Sequence, residues 1–580
     1  MAERMTSEPN DIVLEVKNLS TWFDTGRDVL KAVDGIDLTL RRGRTLCVVG
    51  ESGSGKSITA RSILNIVPKP GRIMGGEILL HGAGPGGAPL NLAALDPKGR
   101  QIRAIRGRDI GMIFQEPMSS LSPVHTIGQQ IVEAIRLHRP LSRAQARERA
   151  IEVLAQVKIP RPERSFDSYP FEFSGGMRQR AMTAMALVCE PKLLIADEPT
   201  TALDVTTQAE ILDLMKGLQT LHGMALMFIT HDMGVVAEIA DDVAVMYRGK
   251  VVEHGPVNDI FFAPQHPYTK QLLNSVLALE SRSHLAGKVG KRESDDAILD
   301  VSNLTMSFGG RQPFFGRKQD GLVKALDDVS FSLKRGETLG IVGESGSGKT
   351  TLGRCIMRIL DPTSGRILFK GRDGAAIDLA PLPRAAVRPY WRDMRMIFQD
   401  PFSSLNPRMT VFQVVAEPLR NHGIAHGPEL EERVAELLQR VGLPREAMRR
   451  YPHAFSGGQR QRIGIARAIA LKPQLIVADE ATSALDVSLR AQVLDLLLDI
   501  GQELQMSYVF ISHDIGVIRY MCDRVAVMHR GRIVEIGETQ SVCDDPQHAY
   551  TRSLISAIPK PDPRQRGRTA RIRYQMEAAP

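Results

Sequence analysis

Short apolar runs recur along the chain in two matching sets. Thr45-Leu46-Cys47-Val48-Val49 and Thr338-Leu339-Gly340-Ile341-Val342 read as buried strands, each leading into a glycine-rich turn and then a helix-forming stretch. Leu193-Leu194-Ile195-Ala196 and Leu475-Ile476-Val477-Ala478 are apolar strands that end in adjacent acids, Asp197-Glu198 and Asp479-Glu480. Phe228-Ile229-Thr230 and Phe510-Ile511-Ser512 each deliver a histidine, His231 and His513, just past an apolar strand. Alternating runs at 12–16 and 297–301 predict strands at the two openings, and Ile113-Phe114-Gln115 and Ile397-Phe398-Gln399 predict a strand leading to a polar residue and a turn. Residues 142–157 and 428–441 are charged and helix-periodic, which predicts a helical subdomain inserted between strands.

The sets are repeats. Asp197 and Asp479, Ser174 and Ser456, and His231 and His513 are each 282 residues apart, whereas Gly50 and Gly343 are 293 apart, so loops near the front differ in length. The expected organisation is two homologous α/β domains in tandem, at 10–279 and 297–558, with a polar linker at 280–296 and a basic tail at 559–580. The second half carries an extra Gly/Pro/basic insert at 309–321, read as a solvated loop. The tail, with Arg564, Arg566, Arg568, Arg571 and Arg573, reads as a disordered terminus, with anionic lipid as the lesser alternative.

Composition narrows this picture. A chain of 580 residues with 43% hydrophobic and 24% charged residues is ordinary for a globular protein and too long for one core. It has no apolar run long enough to span a bilayer, and its first residues lack a signal-peptide core, so the cytoplasm is the expected compartment. Five scattered cysteines without CxxC spacing indicate neither disulfides nor a metal knuckle. The net charge of +8 is a mild excess, read as solubility plus attraction to an anionic membrane surface ahead of nucleic acid.

Candidate chemistry centres on two octets of the form GxxxxGK[ST]. They are Gly50, Glu51, Ser52, Gly53, Ser54, Gly55, Lys56 and Ser57, and Gly343, Glu344, Ser345, Gly346, Ser347, Gly348, Lys349 and Thr350. In such a loop successive backbone N–H groups curl round a nucleotide's phosphates, the lysine neutralises their charge and the hydroxyl holds Mg²⁺. At a strand end beside such a loop, Asp197 and Asp479 are placed to bind Mg²⁺ through water, and Glu198 and Glu480 to polarise an attacking water. His231 and His513, repeated at matched spacing from the acids, read as γ-phosphate sensors. Phe23 and Phe308 stand where an aromatic either stacks on adenine or fills the core.

Phosphate loop, glutamine, Ser-Gly-Gly, Asp-Glu and histidine, in this order and twice over, resemble the nucleotide-binding domain of ABC ATPases. The resemblance implies tandem P-loop NTPase domains, each with a RecA-like, mainly parallel sheet core, an antiparallel β subdomain and a helical subdomain. It implies ATP and Mg²⁺ as cofactors, with Ser57, Gln115, Asp197, Thr350, Gln399 and Asp479 around the metal. Glu198 and Glu480 would be general bases, His231 and His513 would contact the γ-phosphate, and Phe23 and Phe308 would stack on adenine. Ser174, Gly175 and Gly176, and Ser456, Gly457 and Gly458, resemble the signature that reaches the nucleotide of the opposite domain. ATP would then be sandwiched by an intramolecular pair in place of a homodimer, with two hydrolytic sites. Two positions depart from the pattern: Met177 where the family usually has Gln, and Ala481 where the first half has Pro199.

A narrower resemblance lies in FQEPMSSLSP, FQDPFSSLNP, His266-Pro267-Tyr268-Thr269 and His548-Ala549-Tyr550-Thr551, which are similar to the ATPases of bacterial dipeptide, oligopeptide and nickel importers. This implies an ATP-hydrolysing subunit on the cytoplasmic face of the inner membrane, bound peripherally to two integral-membrane permease subunits fed by a periplasmic substrate-binding protein. The implied cargo is glutathione or di- and oligopeptides, with nickel or a peptide antibiotic as alternatives. Many relatives carry a cysteine cluster for an iron–sulfur centre after the His-Pro-Tyr motif. This chain has none there, so no such centre is expected. The rival class is a soluble tandem ABC protein acting on ribosomes or DNA. It would need a long charged arm between domains or inserted zinc modules, and neither is present in the sequence, so no nucleic-acid partner is expected.

Overall fold

A computed structural model describes residues 11–26, 28–115, 120–201, 203–280, 296–309, 323–400, 404–483, 485–567, 571–572 and 574. Most of the expected linker and insert, and the residues Glu116 and Pro117, lie outside the described residues. The chain divides into two compact units. The first comprises Met1–Leu203, Thr207–Val276 and Pro559–Ala570, and the second Asp204–Thr206, Leu277–Ile558 and Arg571–Pro580.

In the first unit, β1 (Ile12–Asp24), β2 (Val29–Arg41), β4 (Gly71–Leu80) and β5 (Leu90–Asn91) form an antiparallel sheet in the order β2-β1-β4-β5. The second sheet has the order β10-β9-β3-β8-β7-β6, from β3 (Thr45–Val49), β6 (Ile110–Ile113), β7 (Leu193–Asp197), β8 (Ala225–Thr230), β9 (Asp242–Tyr247) and β10 (Lys250–Pro256). All its neighbours are parallel except β10, which runs against β9. The near-continuous apolar runs of β3 and β7 follow from burial on both faces. Cys47, Val49, Leu194 and Ala196 pack into the cluster on one side, and Leu46, Val48, Leu193 and Ile195 into that on the other. Each large apolar side chain buried this way contributes roughly 1.5–3 kcal/mol.

The second unit repeats the plan. Its antiparallel sheet has the order β12-β11-β14-β15, from β11 (Ala297–Phe308), β12 (Val323–Lys334), β14 (Ser364–Lys370) and β15 (Ala376–Asp378). Its other sheet runs β16-β17-β18-β13-β19-β20, from β13 (Thr338–Val342), β16 (Met394–Ile397), β17 (Leu475–Asp479), β18 (Ser507–Ile511), β19 (Arg524–His529) and β20 (Arg532–Glu538). The α/β class, with parallel core and antiparallel subdomain, is as the sequence led one to expect.

The helical stretches also form where periodicity placed them, as Arg143–Gln156 and Gly427–Arg440. The first buries Ala146, Ala150, Val153 and Leu154, a single stripe on the helix, and begins with a reciprocal capping box between Ser142 and Gln145. A correction applies to the described part of the basic tail; Arg568 and Arg573 lie outside the described residues. Asp562 accepts the backbone N–H of Arg564, the Arg564 guanidinium lies 4.2 Å from the centroid of Phe262, and Arg566 donates to the carbonyls of Ala240 and Ile239. A basic run reads as disordered, yet guanidinium groups find structure at aromatic faces and helix-end carbonyls, even where, as at Arg564, the side chain stays exposed.

The departure at Met177 has a visible consequence. The helices Gly175–Leu187 and Gly457–Ile469 both begin with serine caps, Ser174 and Ser456. In the second, the Gln459 side chain returns the favour by accepting the Ser456 N–H at 3.2 Å. Methionine has no acceptor for this, so the box is half made in the first unit. Met177→Gln is expected to slow amide hydrogen exchange at Ser174 about threefold, the scale of one added capping bond.

Candidate functional site

The sheet order brings the chemistry together. β8 lies between β3 and β7, and the three run parallel, with Val49 level with Thr230 and Asp197 level with Ile229. The phosphate loop after β3, the acid after β7 and the histidine after β8 therefore emerge at one edge of the sheet, where α/β folds place ligands. β13, β17 and β18 repeat this in the second unit.

The loop's glycines are demanded by geometry. Gly50 has φ +148°, and a Cβ there would stand 2.2 Å from the Met246 carbonyl oxygen. Gly55, at φ +105°, would meet the Ala32 carbonyl oxygen at the same distance. So wound, the loop folds round its own lysine. Lys56 Nζ donates to the carbonyls of Gly50 at 2.6 Å and Glu51 at 2.8 Å, and Lys349 does likewise to Gly343 at 2.7 Å and Glu344 at 2.8 Å. Burial lowers the Lys349 pKa, against the opposing pull of Glu480 and Asp479.

The first residue of each helix after the lysine reaches the first acid. Ser57 Oγ donates to Asp197 Oδ1 at 2.9 Å and Thr350 Oγ1 to Asp479 Oδ1 at 3.0 Å. Burial raises both aspartates, and the neighbouring glutamate adds to it, while these hydroxyl bonds pull the other way. The second acid stands at the centre of a fuller set of partners. Glu198 accepts from Gln115 Nε2 at 2.9 Å and Thr201 Oγ1 at 2.9 Å, with His231 Nδ1 at 3.4 Å. Glu480 accepts from Gln399 Nε2 at 2.8 Å and lies 3.2 Å from His513 Nδ1.

Burial works to raise Glu198, but the bond to and charge of His231, the Thr201 hydroxyl and Lys56 outweigh it and hold the carboxyl down to about 2. Glu480 is lowered by the same contest, with His513, Lys349 and Gln399 prevailing over burial. His513 is the mirror case: burial alone would lower it, and the bond and charge of Glu480 raise it. Both glutamates sit at φ +47°, a left-handed conformation uncommon for a side-chain-bearing residue. Each is held there by its amide, which donates to the Ile229 or Ile511 carbonyl and continues the sheet by one residue.

Ser174 and Ser456 cap their helices, and a Cβ on Gly176 would come 2.6 Å from Thr207 Cγ2, whereas Gly175 and Gly457 have open space at that position. Phe23 is half-buried, its ring edge against Gly71, where a Cβ would approach to 2.6 Å. Phe308 is 44% exposed.

Sequence reasoning missed two contacts to the loop itself. Tyr268 Oη accepts the Glu51 N–H at 2.9 Å, and Tyr550 Oη accepts the Glu344 N–H at 3.1 Å. The surrounding motif serves this contact. Glu253 accepts the N–H groups of Gln265 and His266, and His266 Nδ1 accepts the Tyr268 N–H, fixing the start of the helix that carries the tyrosine. The repeat of His-x-Tyr at the same 282-residue spacing was the available signal.

Residues 33–201 and 326–483 match the family described as ABC transporter, and residues 252–298 and 534–579 match that described as Oligopeptide/dipeptide transporter, C-terminal region. The chain is 48% identical over 571 residues, 95% of this chain and 90% of the relative, to the "Glutathione import ATP-binding protein GsiA" of Salmonella choleraesuis (strain SC-B67). It is equally similar over 572 residues, with the same coverage, to the protein of that name in Escherichia coli (strain K12). A solved structure, the dimeric post-hydrolysis state of the ATP-binding cassette MJ0796 bound to ADP and Pi, is 29% identical with a TM-score of 0.37, covering 42% of this chain and 98% of that one.

Removing the tyrosine acceptor leaves a loop N–H without its partner, a cost of about 1–3 kcal/mol. Tyr268→Phe and Tyr550→Phe are each expected to weaken ATP affinity several-fold in equilibrium binding, with the double variant weaker than either.

The Glu480–His513 pair carries a pH dependence whose sign is fixed by its two shifts. The lowered glutamate contributes stability that is present above its ordinary value of 4.5 and lost as pH falls through its depressed value. The raised histidine contributes stability that is present below its ordinary 6.5 and lost as pH rises through its elevated value. The stability lost in His513→Gln, read from denaturant unfolding of the full chain, should therefore be greatest between these two ordinary values and shrink on the alkaline side.

Proposed function

The chain belongs to the ABC transporter ATP-binding family, in the branch that carries the oligopeptide/dipeptide transporter C-terminal region, and from this we propose that it energises the import of glutathione or short peptides with two hydrolytic sites. ATP binding and hydrolysis coupled to import are properties of the family to which it belongs. The glutathione reading is supported by the relatives' name and by their match to 95% of this chain. The partners proposed are two membrane permeases and a substrate-binding protein, with the chain peripheral to the inner membrane. No helix among the described residues is long and apolar enough to cross one.

The observation that carries the two-site reading is the near-identity of the two acid clusters. Their Gln–Glu, His–Glu and hydroxyl–Asp distances differ between units by no more than 0.2 Å. Two clusters that retain these glutamine, histidine and hydroxyl partners support hydrolysis at both, and they differ in one donor: Thr201 bonds the Glu198 carboxylate, whereas Ser483 bonds the Glu480 backbone carbonyl.

The donor set suits Mg²⁺. The Ser57 and Thr350 hydroxyls meet Asp197 and Asp479 carboxylates, with the Gln115 and Gln399 amides bonded to the adjoining glutamates, and oxygen donors are what a hard cation selects. Bound there, Mg²⁺ would neutralise charge on the β- and γ-phosphates. Lys56 and Lys349 have their ammonium groups buried within the loop, so a phosphate exchanges for carbonyl acceptors without the ion having to cross from water. The loop amides orient the phosphate chain, and the helix N-terminus behind them favours its charge.

Glu198 and Glu480 are proposed to hold the attacking water. A carboxyl lowered to about 2 stays ionised at every working pH, so Glu198 orients the water by accepting one of its protons in a hydrogen bond. Phosphoryl transfer passes through a loose transition state, so alignment outweighs base strength. His231 and His513 meet the carboxylates through Nδ1 and are proposed to contact the γ-phosphate. Phe23 and Phe308 are proposed to receive adenine, and the Ser-Gly-Gly turns to offer backbone N–H groups to phosphate.

Glu198→Gln and Glu480→Gln are each expected to retain ATP binding while steady-state turnover falls about 10²-fold, with no measurable hydrolysis in the double variant. In cells lacking the chain, uptake of labelled glutathione should be lost and restored by the wild type but not by the double variant. Restoration of nickel uptake alone would point to the other cargo.

A further inference from the structure

The described part of the segment Pro559–Ala570 belongs to the first unit, although it follows the second domain in the chain. Its contacts reach two short helices, Val257–Phe262 and Met233–Ile239; the second starts two residues after His231 and is capped by Asp232. At the helix C-terminus, Arg566 Nη1 donates to the Ala240 carbonyl at 3.0 Å and Nη2 to the Ile239 carbonyl at 3.2 Å. The same guanidinium lies 3.6 Å from Asp241 Oδ1, whose other oxygen accepts the Thr45 N–H at 2.8 Å, at the foot of the strand that leads into the phosphate loop. Near the helix N-terminus the Pro559 carbonyl packs on Gly234, where a Cβ would come within 2.8 Å of it. Pro563 is buried, and Arg564 lies over Phe262.

The second unit shows why the first takes this cap. Its corresponding helix, Ile515–Met521, ends at Cys522, whose carbonyl accepts the Thr539 hydroxyl at 3.0 Å. At the 282-residue spacing the first unit has Val257, which has no side-chain donor. One copy thus caps the helix end from within, and the other receives the cap from the far end of the chain. A cation at a helix C-terminus is favoured by the helix dipole as well as by the carbonyls.

We propose that residues 559–567 form a clasp that positions the helix Met233–Ile239, and through it His231 and Glu198, so that turnover at the first site depends on the C-terminal segment while the second site's helix does not. Arg566 is a positioning residue, acting through the helix and through Asp241. The proposal rests on the assignment of Glu198 and His231 to hydrolysis, so its test reads the clasp separately from turnover.

In the full chain, Arg566→Ala is expected to raise amide exchange across Met233–Ile239 about fivefold and leave Ile515–Met521 unchanged. The same variant should lower kcat for ATP about threefold with KM within a factor of two, because the loop lysine is untouched. Arg566→Lys, which keeps the cation but loses the fork, should recover part of both effects. Arg566→Gln, which removes the charge while keeping most of the stem, should reproduce them and serves if Arg566→Ala does not fold. Unchanged exchange in the first helix would overturn the clasp, as would equal loosening of both helices. Raised exchange with unchanged kcat, or a change in KM alone, would overturn its role in positioning.

Discussion

Two adjacent carboxylates cannot be buried at a strand end unless protein groups answer the charge that water no longer does. Asp197 and Glu198, and Asp479 and Glu480, face this constraint, and much of each unit can be read as its solution. The first acid is met by a hydroxyl from the helix behind the phosphate loop, the second by a glutamine, a histidine and the loop lysine. Those partners come from separate stretches of chain. They meet only because β8 and β18 lie between the loop strand and the acid strand in a parallel sheet. Removing any partner leaves a charge in a place where desolvation is costly.

The same constraint divides labour within each acid pair. The aspartate, raised by burial and by its neighbour, keeps one hydroxyl bond. The glutamate, lowered by a ring of donors, stays ionised and fixed at φ +47°. A carboxylate so held is a rigid acceptor, which suits a reaction limited by alignment of a water rather than by the strength of a base.

How much of this was legible in the sequence depends on the range over which each signal acts. The strands at 45–49 and 193–197, the loops and the acids declare themselves locally, since burial on both sheet faces demands an unbroken apolar run and a tight phosphate loop demands glycine. The helix at 143–156 was equally clear from its periodicity, which its buried stripe explains. Tyr268 was visible only as part of a motif. Its role is a hydroxyl accepting an amide proton 217 residues away, and nothing in a tyrosine's neighbours announces such a bond. The tail was misread for a related reason. Arg564 and Arg566 sit in a run that reads as a disordered terminus, and their partners, an aromatic face and two carbonyls at a helix end, carry no sequence signature. The repeat offered one indirect hint, because Val257 stands where Thr539 supplies a hydroxyl.

The central claim is that the duplication preserves two working nucleotide sites in one chain. The most direct measurement is the number of ATP molecules bound per full-length chain at saturation, in the wild type and in Lys56→Ala and Lys349→Ala. The account predicts two in the wild type and one in each variant. A wild-type value of one, or a variant that still binds two, would contradict it.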